Sequence, residues 1–524
     1  MDAVNAPTAT PDPARARALR ADLSSAGYTA EGVRGAWGAV ADDAVGRGLT
    51  GPALTALAGR SDALAVLARA LFLGARTPRA DLDRALPSLG AAGLAALGLA
   101  AVDDGTVTPL ALLRPQGFAG ENGSGCWWIA SDLDETALRL GDRSGALPTD
   151  HVLGVGGASL TLAGLQLPTP AGRVLDVGCG CGIQALRALA SGSASVVATD
   201  VSQRALAFTR LNALLNDVTV ETRRGSLFEP VAGEEFDRVV SNPPFVITPR
   251  AAGVPEYEYR DAGFAGDDLV AAFVSGVAAA LAPGGVAQLL GNWEYRDGAD
   301  GLARVRSWVE ASPVPMDAWV VERENLDPLA YAELWVRDGG TTPGSPEYAA
   351  LIDAWLADFA ARGVTAIGFG YLLLRRVAGV PVLSRYERVT QPLPGGPGAP
   401  GLGAHLARAL AVADRLAAVD DDALAAERFV VADDVTEARH HLPGAEGPSV
   451  IELRQGGGFA RTIEVDPALA ALVGASDGEL TVGQLVAAIA DLLDVDADAL
   501  RADLLPRVRE LAFTGFLGFA RAAR

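Results

Sequence analysis

Lysine is absent from the sequence, and cysteine is scarce. All 43 Lys-or-Arg positions are therefore arginines, and they face 64 Asp and Glu residues, which gives a net charge of −21 at pH 7. This acidity argues against broad, sequence-independent binding of nucleic acid, which requires a cationic surface, but it leaves room for a local basic groove. The three cysteines, Cys126, Cys179 and Cys181, form no disulfide framework and favour a reducing compartment.

The sequence also lacks the segments that direct a chain to a membrane or across it. Its first ten residues, MDAVNAPTAT, have neither the basic region nor the apolar core of a signal peptide. No run without charges reaches the length of a transmembrane helix. We therefore expect a cytoplasmic protein with no membrane partner.

The 524 residues, half of them hydrophobic, predict two to four domains. Residues 401–524 carry 11 arginines and 20 carboxylates, a net charge of −9. We expect this acidic part to contact protein, to mediate dimerisation or to act as a scaffold. The predicted segments are a disordered tail (1–13), an N-terminal helical, winged-helix-like domain (14–119), a catalytic domain with its preceding segment (120–390), a linker (391–403) and a C-terminal α+β, winged-helix-like domain (404–524).

A glycine-rich stretch, RVLDVGCGCG at 173–182 (the glycine loop), organises the chain. A short apolar strand leads into Asp176, and alternating glycines then let the backbone turn tightly and approach a ligand. A helix-forming segment at 185–190 and a second strand at 195–198 follow. The second strand ends at Asp200, an acidic side chain that suits a ribose diol. A strand, a turn and a helix in this order indicate the nucleotide-binding start of a doubly wound sheet, with an ordinary structural turn as the alternative.

The second informative stretch is SNPPF at 241–245 (the clamp loop), which follows a predicted strand at 236–240. Doubly wound sheets bind ligands at the carboxyl ends of their strands, so this loop is expected at the ligand-binding edge. An ordinary Pro-rich turn is the alternative, since Asn-Pro often starts a turn.

The glycine loop together with Asp200 resembles the cofactor loop of class I S-adenosylmethionine-dependent methyltransferases. Asn242-Pro243-Pro244-Phe245 resembles the N-P-P-[FY] signature of members of the small methyltransferase domain type, which modify release-factor glutamine, ribosomal RNA or adenine N6. Over residues 150–340 the resemblance implies an α/β fold, with a doubly wound, Rossmann-like sheet of seven strands. We assign its antiparallel end to strands at 318–321 and 332–336, and place a strand at 365–375 as an added edge.

The resemblance also implies the cofactor, S-adenosyl-L-methionine, and the residues that hold it. Many relatives bind the adenine amino group with an acidic residue at the Ser226 position, so serine is a departure. No metal site is expected, because no second cysteine pair or nearby histidine completes one around Cys179 and Cys181. The implied cofactor residues are Asp176, Gly178, Cys179, Gly180, Gly182, Asp200, Val201, Ser226, Leu227 and Asn242.

The implied acceptor residues are Asn242, Pro243, Pro244 and Phe245. The Asn242 side-chain oxygen and the Pro243 carbonyl can each accept one N–H from a planar NH2 group, and Phe245 can stack on it. We therefore predict an N-methyltransferase with a macromolecular acceptor, favouring a protein glutamine side chain because the chain is acidic. A nucleobase, guanine N2 or adenine N6 of ribosomal RNA, is the alternative, favoured by Phe245 in place of tyrosine and by the appended domains. An inactive cofactor-binding scaffold ranks third.

Overall fold

The computed structural model describes residues 9–120, 123–141, 148–250, 254, 263–394 and 401–520. The chain divides into two compact units, Met1–Ala163 with Thr169–Gly379, and Gly164–Pro168 with Val380–Arg524. Most of the predicted N-terminal and catalytic segments belong to the first unit, but residues 164–168 and 380–390 of the predicted catalytic segment belong to the second. Residues 1–8 of the predicted tail and 395–400 of the predicted linker lie outside the described residues. Residues 9–12 are not a free tail, because Ala9 is buried and the Thr10 amide donates to the Leu97 carbonyl at 2.9 Å.

The first unit begins with short helices and a small sheet. Asp12 caps the first helix by accepting the Arg15 amide at 2.9 Å, and Pro13 occupies the first helical position. Three short strands pair in the order β1-β3-β2, and a long antiparallel hairpin, β4-β5, follows. The elements are α1 (Pro13–Ser25), α2 (Ala30–Trp37), α3 (Ala39–Gly46), α4 (Gly51–Leu57), α5 (Ala63–Leu67), β1 (Thr77–Pro78), α6 (Arg79–Ala85), α7 (Gly90–Ala96), β2 (Ala100–Val102), β3 (Thr106–Pro109), β4 (Ala111–Gly120), β5 (Gly123–Asp132) and α8 (Glu135–Leu140).

The remainder of this unit alternates helices and strands. The elements are α9 (Gly157–Leu165), β6 (Arg173–Val177), α10 (Ile183–Ala190), β7 (Ser195–Asp200), α11 (Gln203–Leu215), β8 (Glu221–Arg224), β9 (Phe236–Ser241), α12 (Asp268–Ala280), β10 (Leu281–Arg296), α13 (Gly301–Glu310), β11 (Met316–Leu326), α14 (Pro328–Asp338), α15 (Pro346–Ala361) and β12 (Val364–Arg376).

Within the first unit, the central sheet has seven strands, in the order β11-β12-β10-β9-β6-β7-β8. The five strands from β10 to β8 pair in parallel, and β12 is antiparallel to both of its neighbours. The helices α10, α11 and α12 connect three of the four successive pairs of parallel strands, so the fold is α/β and Rossmann-like, as the glycine loop predicts.

Two predictions at the antiparallel end are wrong. Residues 332–336 are not a strand but part of α14, where the Asp327 side chain caps the helix and Pro328 starts it. The strand predicted at 365–375 exists as β12, yet it lies between β10 and β11 rather than at an edge. Its apolar sequence suits this interior place, since both of its sides pair with neighbours.

One hydrophobic core joins the N-terminal helices to α10 and α11. Asn212 of α11 adds a polar contact, because its side-chain oxygen accepts the Ala130 amide at 2.7 Å and its side-chain nitrogen donates to the Ala130 carbonyl at 2.9 Å. The hairpin strand β5 is thereby fixed to the helix that follows Asp200. Core members from both regions are Leu19, Leu23, Leu67, Ile183, Leu186, Phe208 and Leu211.

The second unit contains two further sheets and five helices among its described residues. Strands pair as β14-β18 and as β15-β16-β17. The helix predicted from Thr481 is present and starts with a reciprocal capping box between Thr481 and Gln484. The elements are β13 (Ser384–Arg388), α16 (Leu402–Ala417), α17 (Asp421–Ala426), β14 (Phe429–Val431), β15 (Val435–His440), β16 (Val450–Gln455), β17 (Thr462–Val465), α18 (Pro467–Gly474), α19 (Val482–Leu493), α20 (Ala497–Thr514) and β18 (Leu517–Phe519).

Within the described ranges, no helix combines the length and the apolar content that crossing a bilayer requires.

Candidate active site

A cavity of about 610 Å³ lies at the carboxyl ends of β6, β7 and β9. Its wall contains most of the residues implied for the cofactor and all four implied for the acceptor. Asp176 and Gly182 are the two implied cofactor residues that the wall does not contain. The implied residues in the wall are Gly178, Cys179, Gly180, Asp200, Val201, Ser226, Leu227, Asn242, Pro243, Pro244 and Phe245.

The glycine loop needs its glycines because its backbone turns through left-handed conformations. Gly180 has φ of 53°, and a Cβ added there would meet no atom within 4 Å, so a side chain would project into open space. Gly182 has φ of 81°, and an added Cβ would lie 3.0 Å from the side chain of Thr209. The first glycine thus leaves room at the cavity, whereas the second permits close packing of α11 behind the loop.

Asp176 holds the helix that follows the glycine loop. Its side chain is 1 % exposed, and Oδ2 accepts the Ala185 amide in the first turn of α10 at 3.0 Å. Burial raises the pKa of this carboxyl to about 7. Asp176 therefore holds the helix that begins after the glycine loop, which explains why its carboxyl does not line the cavity.

Asp200 lies at the end of β7 and faces the cavity. Its two carboxyl oxygens accept the amides of Gly180 at 3.0 Å and of Ser202 at 2.9 Å. Burial raises the pKa of Asp200 despite these hydrogen bonds. The carboxylate is thus oriented by the glycine loop on one side and by the start of α11 on the other, with its remaining lone pairs available to a ligand.

Ser226 and Leu227 form another part of the cavity wall. Leu227 has φ of 46°, a left-handed conformation that is uncommon for a residue with a branched side chain. The Gly225 amide donates to the Asp200 carbonyl at 3.1 Å, which fixes this turn beside β7. A strained residue persists only where the surrounding structure holds it in place, and such residues cluster at ligand sites.

The clamp loop leaves the sheet directly beside the glycine loop. Ser241 and Val177 are register partners at the ends of β9 and β6, and the Ser241 hydroxyl donates to the Val177 carbonyl at 2.8 Å. Neighbouring strands lie about 4.8 Å apart, so the two loops start side by side.

Asn242 carries the most informative polar atom of the site. Among the described residues, its side-chain oxygen Oδ1 has no hydrogen-bond partner although the atom is buried. Its side-chain nitrogen lies 3.5 Å from the hydroxyl of Ser159 in α9. A buried acceptor atom without a partner is costly, and its place in a cavity wall suits a ligand that donates an N–H group.

A buried ion pair positions the wall formed by residues 150–154. The Asp132 carboxylate accepts Arg204 Nε and the Val152 amide, each at 2.8 Å. The ring of His151 lies 3.8 Å from the same carboxylate, and burial lowers the pKa of this histidine. Sequence reasoning assigned no role to Asp132 or Arg204, because they lie 72 residues apart and only the fold brings them together.

Sequence reasoning also missed two residues of α14 in the cavity wall, Trp335 and Asp338. The segment was interpreted as a strand, so its residues were assigned to the sheet. Asp327-Pro328, a helix cap followed by a proline at the first helical position, was the signal that could have identified the helix. Asn292 and Trp293 are buried in β10 and do not line the cavity.

Residues 156–254 match the family model described as methyltransferase small domain. This part of the chain is therefore similar to methyltransferase small domains. Class I enzymes with such a domain use S-adenosyl-L-methionine. Two other segments, 25–110 and 408–518, match domains of unknown function.

The methyltransferase domain is similar to enzymes with two kinds of acceptor. It is 42 % identical over 120 residues to release factor glutamine methyltransferase of Deinococcus radiodurans, covering 22 % of this chain and 43 % of that protein. The corresponding protein of Geobacter sulfurreducens is 39 % identical over 124 residues, with the same coverage. Ribosomal RNA small subunit methyltransferase C of Salmonella newport is 36 % identical over 121 residues, covering 23 % of this chain and 33 % of the relative. The chain thus spans less than half of each relative, and the match alone does not identify the acceptor.

Proposed function

We propose that this protein is an S-adenosylmethionine-dependent N-methyltransferase whose acceptor is a planar amide nitrogen, the side chain of a glutamine in another protein. The single observation that carries the proposal is the buried, unpartnered Oδ1 atom of Asn242 in a wall shared with the glycine loop. An amide NH2 group supplies the N–H donor that this oxygen lacks.

The clamp loop would act by orientation. The lone pair of an amide nitrogen is delocalised, so the nitrogen is a weak nucleophile. Asn242 Oδ1 and the Pro243 carbonyl can accept its two N–H groups, and the half-buried ring of Phe245 can stack on the amide plane. Fixing the group in one orientation, rather than acid–base chemistry, would supply most of the acceleration.

The chain's own residues fit the cofactor. We assign Asp200 to the ribose, and Ser226 and Leu227 to the adenine. The loop from Gly178 to Gly180 would let the backbone approach the cofactor closely. The space beside Gly178 and Gly180, where an added Cβ would meet nothing within 4 Å, supports this assignment. When bound, S-adenosyl-L-methionine supplies an electrophilic methyl group on a sulfonium.

Charge favours a protein acceptor over RNA. The described residues of the cavity wall include three carboxylates, Asp150, Asp200 and Asp338, and no arginine. Phosphate groups near such a wall would be repelled rather than bound. The similarity to the ribosomal RNA enzyme keeps a nucleobase acceptor as the second candidate. An inactive cofactor-binding scaffold ranks third.

We also propose that both terminal regions are winged-helix-like modules that contact the acceptor protein or a second copy of the chain. The helices α5 to α7 with the sheet β1-β3-β2 support this assignment at the N-terminus. A cytoplasmic location is part of the same proposal, supported by three free thiols.

The test is a transfer assay with tritiated S-adenosyl-L-methionine and lysate of the source cells, followed by digestion with RNase or with protease. Label that survives RNase but not protease supports a protein acceptor; the reverse pattern identifies RNA as the acceptor. Absence of transfer to either, by a protein that binds the cofactor, supports the inactive scaffold.

Two variants separate the clamp from the cofactor residues. Asn242→Ala should lose transfer and keep most of its affinity for the cofactor, because it removes the acceptor contact and leaves Asp200, Ser226 and the glycine loop in place. Asp200→Ala should weaken cofactor binding through the loss of two hydrogen bonds to a charged group, each worth about 1.5–3 kcal/mol. An Asn242→Ala protein that transfers methyl groups at the wild-type rate would show that the clamp is wrongly assigned.

A further inference from the structure

The helix α14 enters the site from a distant part of the sequence. It follows β11, and the Asp327 side chain caps it by accepting the Ala330 amide at 2.9 Å. Tyr331 lies in its first turn with 2 % of its surface exposed. One and two turns further along the same face, Trp335 and Asp338 line the cavity. A single face of α14 therefore carries both a buried tyrosine and part of the cavity wall.

The Tyr331 hydroxyl connects the segment after the clamp loop to the sheet. It accepts the backbone amide of Ile247 at 3.0 Å and the side-chain amide of Asn292 at 2.5 Å. Ile247 follows Asn242 by five residues, whereas Asn292 belongs to β10, the strand next to β9. Ile247 and Asn292 are both buried. Loss of the hydroxyl would therefore leave their two N–H donors without this acceptor and without access to water.

Aromatic packing fixes the hydroxyl in place. The Tyr331 ring lies 6.1 Å from those of Trp335 and Trp355 and 6.0 Å from that of Phe359, measured between centroids. Val246 and Ile247 belong to the same hydrophobic cluster. The segment that follows the clamp loop is thus packed against α14 and α15 and held by one hydrogen bond to the tyrosine.

We propose that Tyr331 is a positioning residue for the acceptor clamp. This inference rests on the proposed function of the clamp loop. Tyr331 does not itself line the cavity. Its hydroxyl fixes where the chain runs after Phe245 and thereby keeps Asn242 and Pro243 in one orientation toward the acceptor nitrogen. Because the reaction depends on alignment, a looser clamp lowers the rate of transfer more than it lowers binding.

Tyr331→Phe tests the proposal, because it keeps the ring and removes only the hydroxyl. Tyr28→Phe is the matched control, since the Tyr28 hydroxyl is also buried and donates to the Leu113 carbonyl at 2.7 Å, outside the cavity wall. In hydrogen-exchange mass spectrometry of the full chain, Tyr331→Phe should speed exchange in residues 242–250, and Tyr28→Phe should not. Unchanged exchange in that segment would overturn the proposal, and this measurement needs no acceptor.

The kinetic measurement applies to the acceptor that the transfer assay identifies. We expect Tyr331→Phe to lower kcat by roughly 10- to 100-fold with little change in the acceptor KM and none in cofactor affinity. A variant with wild-type kcat would refute the positioning role even if its exchange is faster. If the wild-type chain transfers no methyl group to protein or RNA, the proposed function fails, and the exchange comparison still decides whether Tyr331 orders the loop.

Discussion

Ser241 donates its hydroxyl to the Val177 carbonyl over 2.8 Å, and the two residues are also register partners in the central sheet. The chain continues from Val177 into the glycine loop and from Ser241 into the clamp loop. This contact therefore adds a side-chain hydrogen bond to the backbone pairing at the point where both loops leave the sheet. Its removal should change how the loops face each other while the strands stay paired.

Ser241→Ala should reduce the unfolding free energy by about 1 kcal/mol, the usual worth of one buried hydrogen bond. We expect the methyl transfer rate to fall more than cofactor affinity, because the spacing between donor and acceptor loops is altered. Ser195→Ala is the control, since the Ser195 hydroxyl contacts the Gly172 carbonyl at 3.2 Å at the opposite end of the sheet. Equal effects of both variants on the transfer rate would contradict the prediction.

Gly180 and Gly182 should respond differently to alanine. Gly180→Ala places a methyl group in open space at the cavity, so it should weaken cofactor binding and cost only about 1–2 kcal/mol of stability for the left-handed backbone. Gly182→Ala adds a contact of 3.0 Å with Thr209 to the same backbone cost, so it should be the less stable variant. Cofactor titration and urea denaturation of both variants measure the two effects. A Gly182→Ala protein more stable than Gly180→Ala would contradict this account.

Asp176 should make stability depend on pH. Burial raises its pKa to about 7, so the folded protein binds this proton more tightly than the unfolded chain does. The unfolding free energy should therefore decrease as pH rises from about 4 to about 7, with a slope of at most about 1.4 kcal/mol per pH unit from this group. Asp176→Asn should remove that slope, because asparagine does not titrate and keeps an oxygen for the Ala185 amide.

Urea denaturation between pH 5 and pH 7 measures the difference between wild type and Asp176→Asn. The exposed Asp353 of α15 provides the control substitution, Asp353→Asn. The same pH dependence in wild type and in Asp176→Asn would show that the buried carboxyl does not titrate in this range.

The strands that carry the glycine and clamp loops could be predicted because their sequences are local signals. A short apolar run followed by glycines, as at 173–182, or by Asn-Pro, as at 241–245, identifies a strand end without knowledge of the rest of the fold. Both loops were therefore placed at the correct edge of the sheet. The register that pairs Val177 with Ser241 was not predicted, because it depends on β6 and β9 lying side by side in the sheet.

The strand order at the antiparallel end could not be predicted, because it depends on long-range pairing. Residues 332–336, AELWV, contain apolar residues that fit a short strand as well as a helix, and the helix is decided by the cap at Asp327 and by packing against α15. The place of β12 between β10 and β11 is a property of the whole sheet. For the same reason Tyr331, Trp335 and Asp338 carried no sequence signal for the site.

The core shared by α1, α5, α10 and α11 limits how the chain can be shortened. A fragment that starts after the β4-β5 hairpin would expose Phe208 and Leu211 and leave Asn212 without its contacts to Ala130. Such a fragment should aggregate or unfold, although it contains every residue assigned to catalysis. The helices before residue 100 are thus part of the core of the nucleotide-binding fold. Loss-of-function substitutions are expected among them, although they do not line the cavity.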